Sequence, residues 1–192
     1  MTTPLYTTQL QAGFGLTTET HLLLRLWQPG MTSAELMQVA LQSGQFPNIS
    51  ARRLRNVVVE AFAPRYLVDK GQPALRLKAM QDYLSRREFE QALFIYTCRA
   101  NLILADFVRE VYWTDYAGGR GQLSNAEARD WVVRANEDGK TIRPWSTETV
   151  ERVAGYLTRT CADFGLLQSG VLKVRRILPY WIEPRTAAFL AY

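Results

Sequence analysis

The stretch "EFEQALFIYTCRANLILADFVREVYW", residues 88–113, is apolar around most of its circumference, as an element covered on nearly every side reads. Arg99, Asn101 and Asp106 interrupt its greasiest run, "ALFIYTCRANLILADFV". That excludes a membrane span and leaves the central helix of a bundle. The pattern predicts a mainly α-helical protein built on a long helical region over about 74–112, broken near Arg86-Arg87.

Working toward the N-terminus, "DKGQP" reads as a loop, and the helix before it carries Leu54, Val57, Val58, Ala61 and Phe62 at i, i+3, i+4, i+7 and i+8. Asn48 or Ser50 caps it, and Pro64 is expected to end or bend it. This spacing sends Arg52, Arg55, Asn56 and Val59 to the opposite arc, with Arg53 at its edge. "TSAE" places Thr32 and Glu35 in a capping box ahead of Leu36, Val39 and Ala40, and that helix stops at Gly44. Thr17 or Thr18 caps the first helix, whose apolar side is Leu22, Leu23 and Leu26 and which ends before Pro29-Gly30.

Toward the C-terminus, "YAGGRGQ" reads as a connector, and Ser124 with Glu127 makes a second capping box opening a helix to about Ala135. Ser146 caps a helix that Gly165 terminates. "LLQSGVLKVRRILPYWI", residues 166–182, has β-branched residues about Ser169-Gly170 and predicts a short β-ribbon, followed by a helical turn or two in "EPRTAAFLAY". The expected architecture is a helical bundle over 1–120, containing a helix-turn-helix, joined to a winged-helix-like subdomain over 121–192.

The length of 192 residues suits one sizeable core or two smaller ones, and 47% hydrophobic with 21% charged residues argues against long disorder. A net charge of +5 and a pI near 9.4 are compatible with a polyanionic partner. Arginine outnumbers lysine, and its planar fork suits phosphate and guanine. Cys98 and Cys161 sit inside apolar helical patterns and read as small buried hydrophobes in a reducing compartment. The opening "MTTPLYTTQLQAGF" has neither a basic start nor an apolar h-region. The expectation is a cytoplasmic protein with no membrane association.

Catalytic readings find little support. His21 is the only histidine, so neither a His-pair metal site nor a Cys-His dyad with a supporting ligand assembles in the usual ways. No Gly-x-Ser-x-Gly elbow is present. "GGRG", residues 118–121, follows a helix instead of a strand and lacks the Gly-Lys-Ser/Thr of a phosphate loop. Asp106, Glu110 and Asp115 have Arg109 among them, which ion pairing on a helix surface explains. No catalytic residue, metal, cofactor or small-molecule substrate is expected.

Two features point to nucleic acid. The helices over 32–43 and 49–63, joined by "SGQFPN", put Arg52, Arg53 and Arg55 in the first turns of the second helix, against its macrodipole, where an external anion relieves the conflict. A solvated basic face on a helical hairpin explains the same pattern. The second feature is the ribbon with Lys173, Arg175 and Arg176, for which a strand pair closing the subdomain is the plainer alternative. Trp145, Tyr180 and Trp181 have the shape to stack on bases, although aromatics so spaced are more often core.

The order "YTTQLQAGFGLTTETHLLLRLW", "SARRLRNVVVEAFAPRYL", "LILADFVREVYW", "WSTETVERVAGYLTRTCADFGLLQSG" and "RILPYWIEP" resembles the BrxA family of small proteins from BREX phage-defence systems. The resemblance spans nearly the whole chain. It implies a mostly helical, NusB-like protein without enzymatic activity that acts with other BREX components and binds DNA. On this basis the expected partners are double-stranded DNA and BREX proteins such as the methyltransferase or ATPase. Arg52, Arg53, Arg55, Lys173, Arg175 and Arg176 are the expected phosphate contacts, with Asn56 as a base reader. The alternatives are a protein-interaction adaptor within the BREX complex and a NusB-like RNA-binding protein.

Overall fold

The computed structural model describes residues 5–12 and 16–191. In chain order its main elements are α1 (Thr17–Leu26), α2 (Ser33–Gln42), α3 (Ala51–Arg55), α4 (Ala63–Tyr66), α5 (Gln72–Met80), α6 (Arg86–Ala100), α7 (Leu102–Phe107), α8 (Trp113–Ala117), β1 (Gln122–Ser124), α9 (Asn125–Glu137), α10 (Thr147–Asp163), β2 (Val174–Arg176) and α11 (Pro184–Ala191). The chain divides into two compact units. A bundle unit takes Leu16–Ala100 and Ile182–Tyr192, and a ribbon unit takes Met1–Gly15 and Asn101–Trp181. The division at 100/101 differs from the 120/121 expected from the sequence. Each unit borrows a segment from the other end of the chain.

In the bundle unit, Thr32 and Glu35 form the expected capping box at the start of α2. Ser50, not Asn48, caps α3, its hydroxyl accepting the Arg53 N–H at 3.2 Å. At α1 the cap is Leu16, which offers no side-chain acceptor, so Thr17 and Thr18 lie inside the first turn instead of before it. Leu54, Val57, Val58, Ala61 and Phe62 are all buried, as their spacing requires. The helix does not stop at Pro64. It widens into a π-helix over Asn56–Phe62 and resumes as α4 through Tyr66. A wider turn ahead of the proline gives its ring room that an ordinary i−4 carbonyl denies.

The 88–113 stretch is two helices. Asn101 leaves helical conformation at φ −133°, ψ 89°, and the helix restarts on its carbonyl, which accepts from Leu104 and Ala105. This break is where the chain passes from one unit to the other. The expected break near Arg86 is present, and Ser85 and Glu88 cap the restart reciprocally. α11 packs on α6, with Thr186 donating to the Glu88 carbonyl at 3.2 Å and Phe189 edge-on to Tyr96 at 6.4 Å.

In the ribbon unit, the N-terminal arm is tied down by Tyr6. Its N–H donates to the Lys140 carbonyl at 2.7 Å and its hydroxyl to buried Asp106 at 2.7 Å. Its ring stacks on Trp131 at 6.0 Å, and Phe107 meets Trp131 edge-on at 5.4 Å. α7 continues through a π-helical Val108–Tyr112 into α8. Ser124 and Glu127 form the second capping box, and α9 packs along α10. Gly165, at φ +79°, lets the chain turn out of α10.

The expected ribbon is present, and a third segment joins it. Gln168 N–H donates to the Arg176 carbonyl and Leu178 N–H to the Leu166 carbonyl, both at 2.9 Å. β2 pairs antiparallel with β1 in the register Gln122↔Arg176, Leu123↔Arg175, Ser124↔Val174.

Candidate nucleic-acid interface

Along the first turns of the helix that Ser50 caps, Leu54 turns inward while Arg52, Arg53 and Arg55 are exposed and Asn56 is half-buried. Arg52 and Arg55 have no ion-pair partner among the described residues. The loop from α2 to α3 is fastened by Ser43, whose hydroxyl donates to the Ala40 carbonyl at 2.8 Å, and by buried Phe46.

In the ribbon unit the strand period of two decides which cations reach solvent. Val174 and Arg176 face outward and Arg175 inward. Arg175 is only 4% exposed, lies opposite buried Leu123, and donates to the Gln168 carbonyl at 2.7 Å. It was expected to contact phosphate, but the sheet register turns its guanidinium into the fold. Lys173 and Arg176 remain exposed.

The outward stripe of α10 adds residues that the sequence reading passed over. Val150, Val153, Ala154, Leu157 and Cys161 are buried, leaving Arg152 and Arg159 exposed with half-buried Tyr156 between them. The same apolar spacing that placed Arg52 and Arg55 outward would have found this stripe. Glu148 and Glu151 share the exposed side of the helix. Burial raises the Asp163 carboxyl's affinity for its proton, against the pull of Arg159 and Arg175. Trp145 is half-buried, its backbone held in both directions by the Asn136 side chain, whereas Trp181 is exposed.

The remaining candidates serve structure. His21 lies edge-on to Phe89 at 5.5 Å. Asp106 pairs with Arg109, and Glu110 accepts the Trp131 indole N–H at 2.9 Å. Arg120 of "GGRG" reaches both Asp115, at 3.1 Å, and Glu127, which fixes the connector. No group of three His, Cys, Asp or Glu side chains that could hold a metal is found among the described residues. Cys98 and Cys161 form no disulfide, and burial pushes the Cys98 thiol up to about 12.

Arg120, followed by the Ser124 backbone N–H, holds the Glu127 carboxyl down at about 2. A depressed carboxylate pKa contributes stability above its unfolded value, about 4.3, and loses it as pH falls through the folded value. The Tm advantage of the wild type over Glu127→Gln is therefore expected to be full above pH ~5 and absent by pH ~2. A melting series across that range checks it; a difference constant with pH contradicts it.

A comparison with family models matches residues 4–192 to BrxA. The chain belongs to the BrxA family. Membership supports a BREX-associated role, and BrxA is not a known enzyme family. The fold is similar to the crystal structure of an uncharacterized protein from Magnetospirillum magneticum, with a TM-score of 0.72 and 18% sequence identity over 98% of this chain and 93% of that one. At that identity the likeness concerns the fold alone. A comparison with curated proteins gives no match. Among the described residues no helix is long and apolar enough to cross a membrane.

Proposed function

We propose that this BrxA-family chain is a non-catalytic, cytoplasmic, double-stranded-DNA-binding component of a BREX antiphage defence system. The observation that carries the reading is the order of the ribbon unit: helix, β1, α9, α10, then a ribbon whose β2 returns to pair with β1. That is the order of a winged helix, with α10 as the recognition helix and 169–173 as the tip of the wing. Arg152 and Arg159 on α10 and Lys173 and Arg176 on the ribbon give the outward surface its cations. In the bundle unit Arg52, Arg53 and Arg55 are the proposed phosphate contacts and Asn56 the base reader.

The test is a binding series across salt with duplex DNA, single-stranded DNA and RNA. Duplex DNA is expected to bind best, with log K falling linearly against log salt. Arg52→Ala/Arg55→Ala is expected to flatten that slope by about 1.8, at about 0.9 per lost phosphate contact. An unchanged slope removes α3 from the interface, and preference for single-stranded RNA would replace the DNA reading with the NusB-like one.

One observation favours a second reading, an adaptor within the BREX complex. Arg76, Ala79, Met80, Tyr83, Ala188 and Phe189 line an open, mostly apolar groove of about 840 Å³ between α5 and α11, with Arg185 at its edge. An adaptor would co-purify with the methyltransferase or ATPase and show no duplex binding at physiological salt.

A further inference from the structure

The tip of the ribbon is apolar where a solvated loop has no reason to be. Ser169, Gly170, Val171 and Leu172 are all exposed, and the Val171 side chain is bare to solvent over its whole surface. Leu172, Lys173 and Val174 are exposed in succession, and within β2 Val174 shares the outward face with Arg176. Exposed cations therefore follow a small apolar point on the C-terminal arm of the ribbon.

The stem beneath that point is held firmly. The β1–β2 ladder fixes one side. On the same edge, one step nearer the tip, Asn125 N–H donates to the Lys173 carbonyl at 2.8 Å, and the Asn125 side chain accepts the Thr158 hydroxyl of α10 at 2.8 Å; on the opposite edge Gln168 N–H donates to the Arg176 carbonyl at 2.9 Å. Gly170, at φ +109°, allows the sharp reversal that leaves Val171 bare to solvent and Leu172 partly exposed beside it. An apolar tip on a stem fixed against α10 is displayed, not left over.

Resting on the DNA-binding reading, we propose that Val171 and Leu172 form a wedge that enters the minor groove of bound duplex, partly unstacks a base step and bends the DNA. Lys173 and Arg176, both on the C-terminal arm, would hold phosphates beside the wedge. Apolar side chains inserted between base steps from the minor groove kink duplexes in this way. Flexible pyrimidine–purine steps accept such a wedge most easily, so TA steps are the expected position.

The experiment uses the full chain and a duplex of about 30 base pairs, with a central TA step and a fluorophore at each end. Wild-type protein is expected to raise energy transfer on binding. Val171→Ser/Leu172→Ser is expected to bind within about threefold of wild type while losing more than half of that rise; both side chains are exposed, so its melting curve should match. The wedge is overturned if wild type binds without a change in energy transfer, or if the double variant bends DNA equally well. A variant that bends DNA normally but no longer co-purifies with the methyltransferase or ATPase assigns the tip to a protein and also overturns it. Absence of any duplex binding by wild type is a different result, which removes the DNA reading itself and the wedge with it.

Discussion

Phe107→Ala is expected to lower the stability of the ribbon unit by about 3–5 kcal/mol, the range for deleting a buried aromatic ring. Phe107 is fully buried and meets Trp131 edge-on; Trp131 in turn stacks on Tyr6 and gives its indole N–H to Glu110. Removing the ring opens a cavity beside this cluster, and Trp131 cannot follow inward without losing either Tyr6 or Glu110. Urea denaturation followed by tryptophan fluorescence measures the loss. Val171→Ala, at an exposed position, should stay within about 0.5 kcal/mol of wild type. A Phe107→Ala cost below about 1 kcal/mol would mean that the cluster does not hold this unit together.

The second large effect falls on binding. If Arg152, Lys173 and Arg176 each neutralise one phosphate, the triple alanine variant should flatten the salt slope by about 2.7. At 0.15 M salt each such contact is worth roughly fivefold, so the variant should bind duplex DNA roughly 150-fold more weakly. All three side chains are exposed, so melting temperature should change little. Arg175→Ala is the natural control. It leaves the Gln168 carbonyl without its side-chain donor and should cost about 1–3 kcal/mol of stability while leaving the salt slope alone. Neighbours of the same residue type are thus expected to fail in opposite assays.

That contrast shows where sequence reading reaches its limit. Apolar spacing at helical period was enough to orient Arg52 and Arg55, because Leu54, Val57, Val58, Ala61 and Phe62 leave one choice of inward face. The capping boxes at Thr32 and Ser124 were legible because two side chains must agree at a fixed spacing. Ser85 and Glu88 carry the same signal and locate the start of α6.

In "KVRR" the inward position depends on register against a partner strand. That partner, Gln122–Ser124, is three residues long with no β-branched side chain to announce it. Asn101 was invisible for another reason. Apolar residues continue on both sides of it, so periodicity reads one helix where the chain changes unit. The division at 100/101 was not legible because α11 and the N-terminal arm each pack with residues far away in the sequence, and local pattern carries no such information.

The central claim is that the ribbon's outward cations meet duplex DNA. It is tested most directly by log K against log salt for one duplex with wild type, Arg176→Ala and Arg175→Ala. A linear dependence is expected for wild type, with a slope shallower by about 0.9 for Arg176→Ala and the wild-type slope for Arg175→Ala. Identical slopes for wild type and Arg176→Ala, or no duplex binding by wild type at physiological salt, would contradict it.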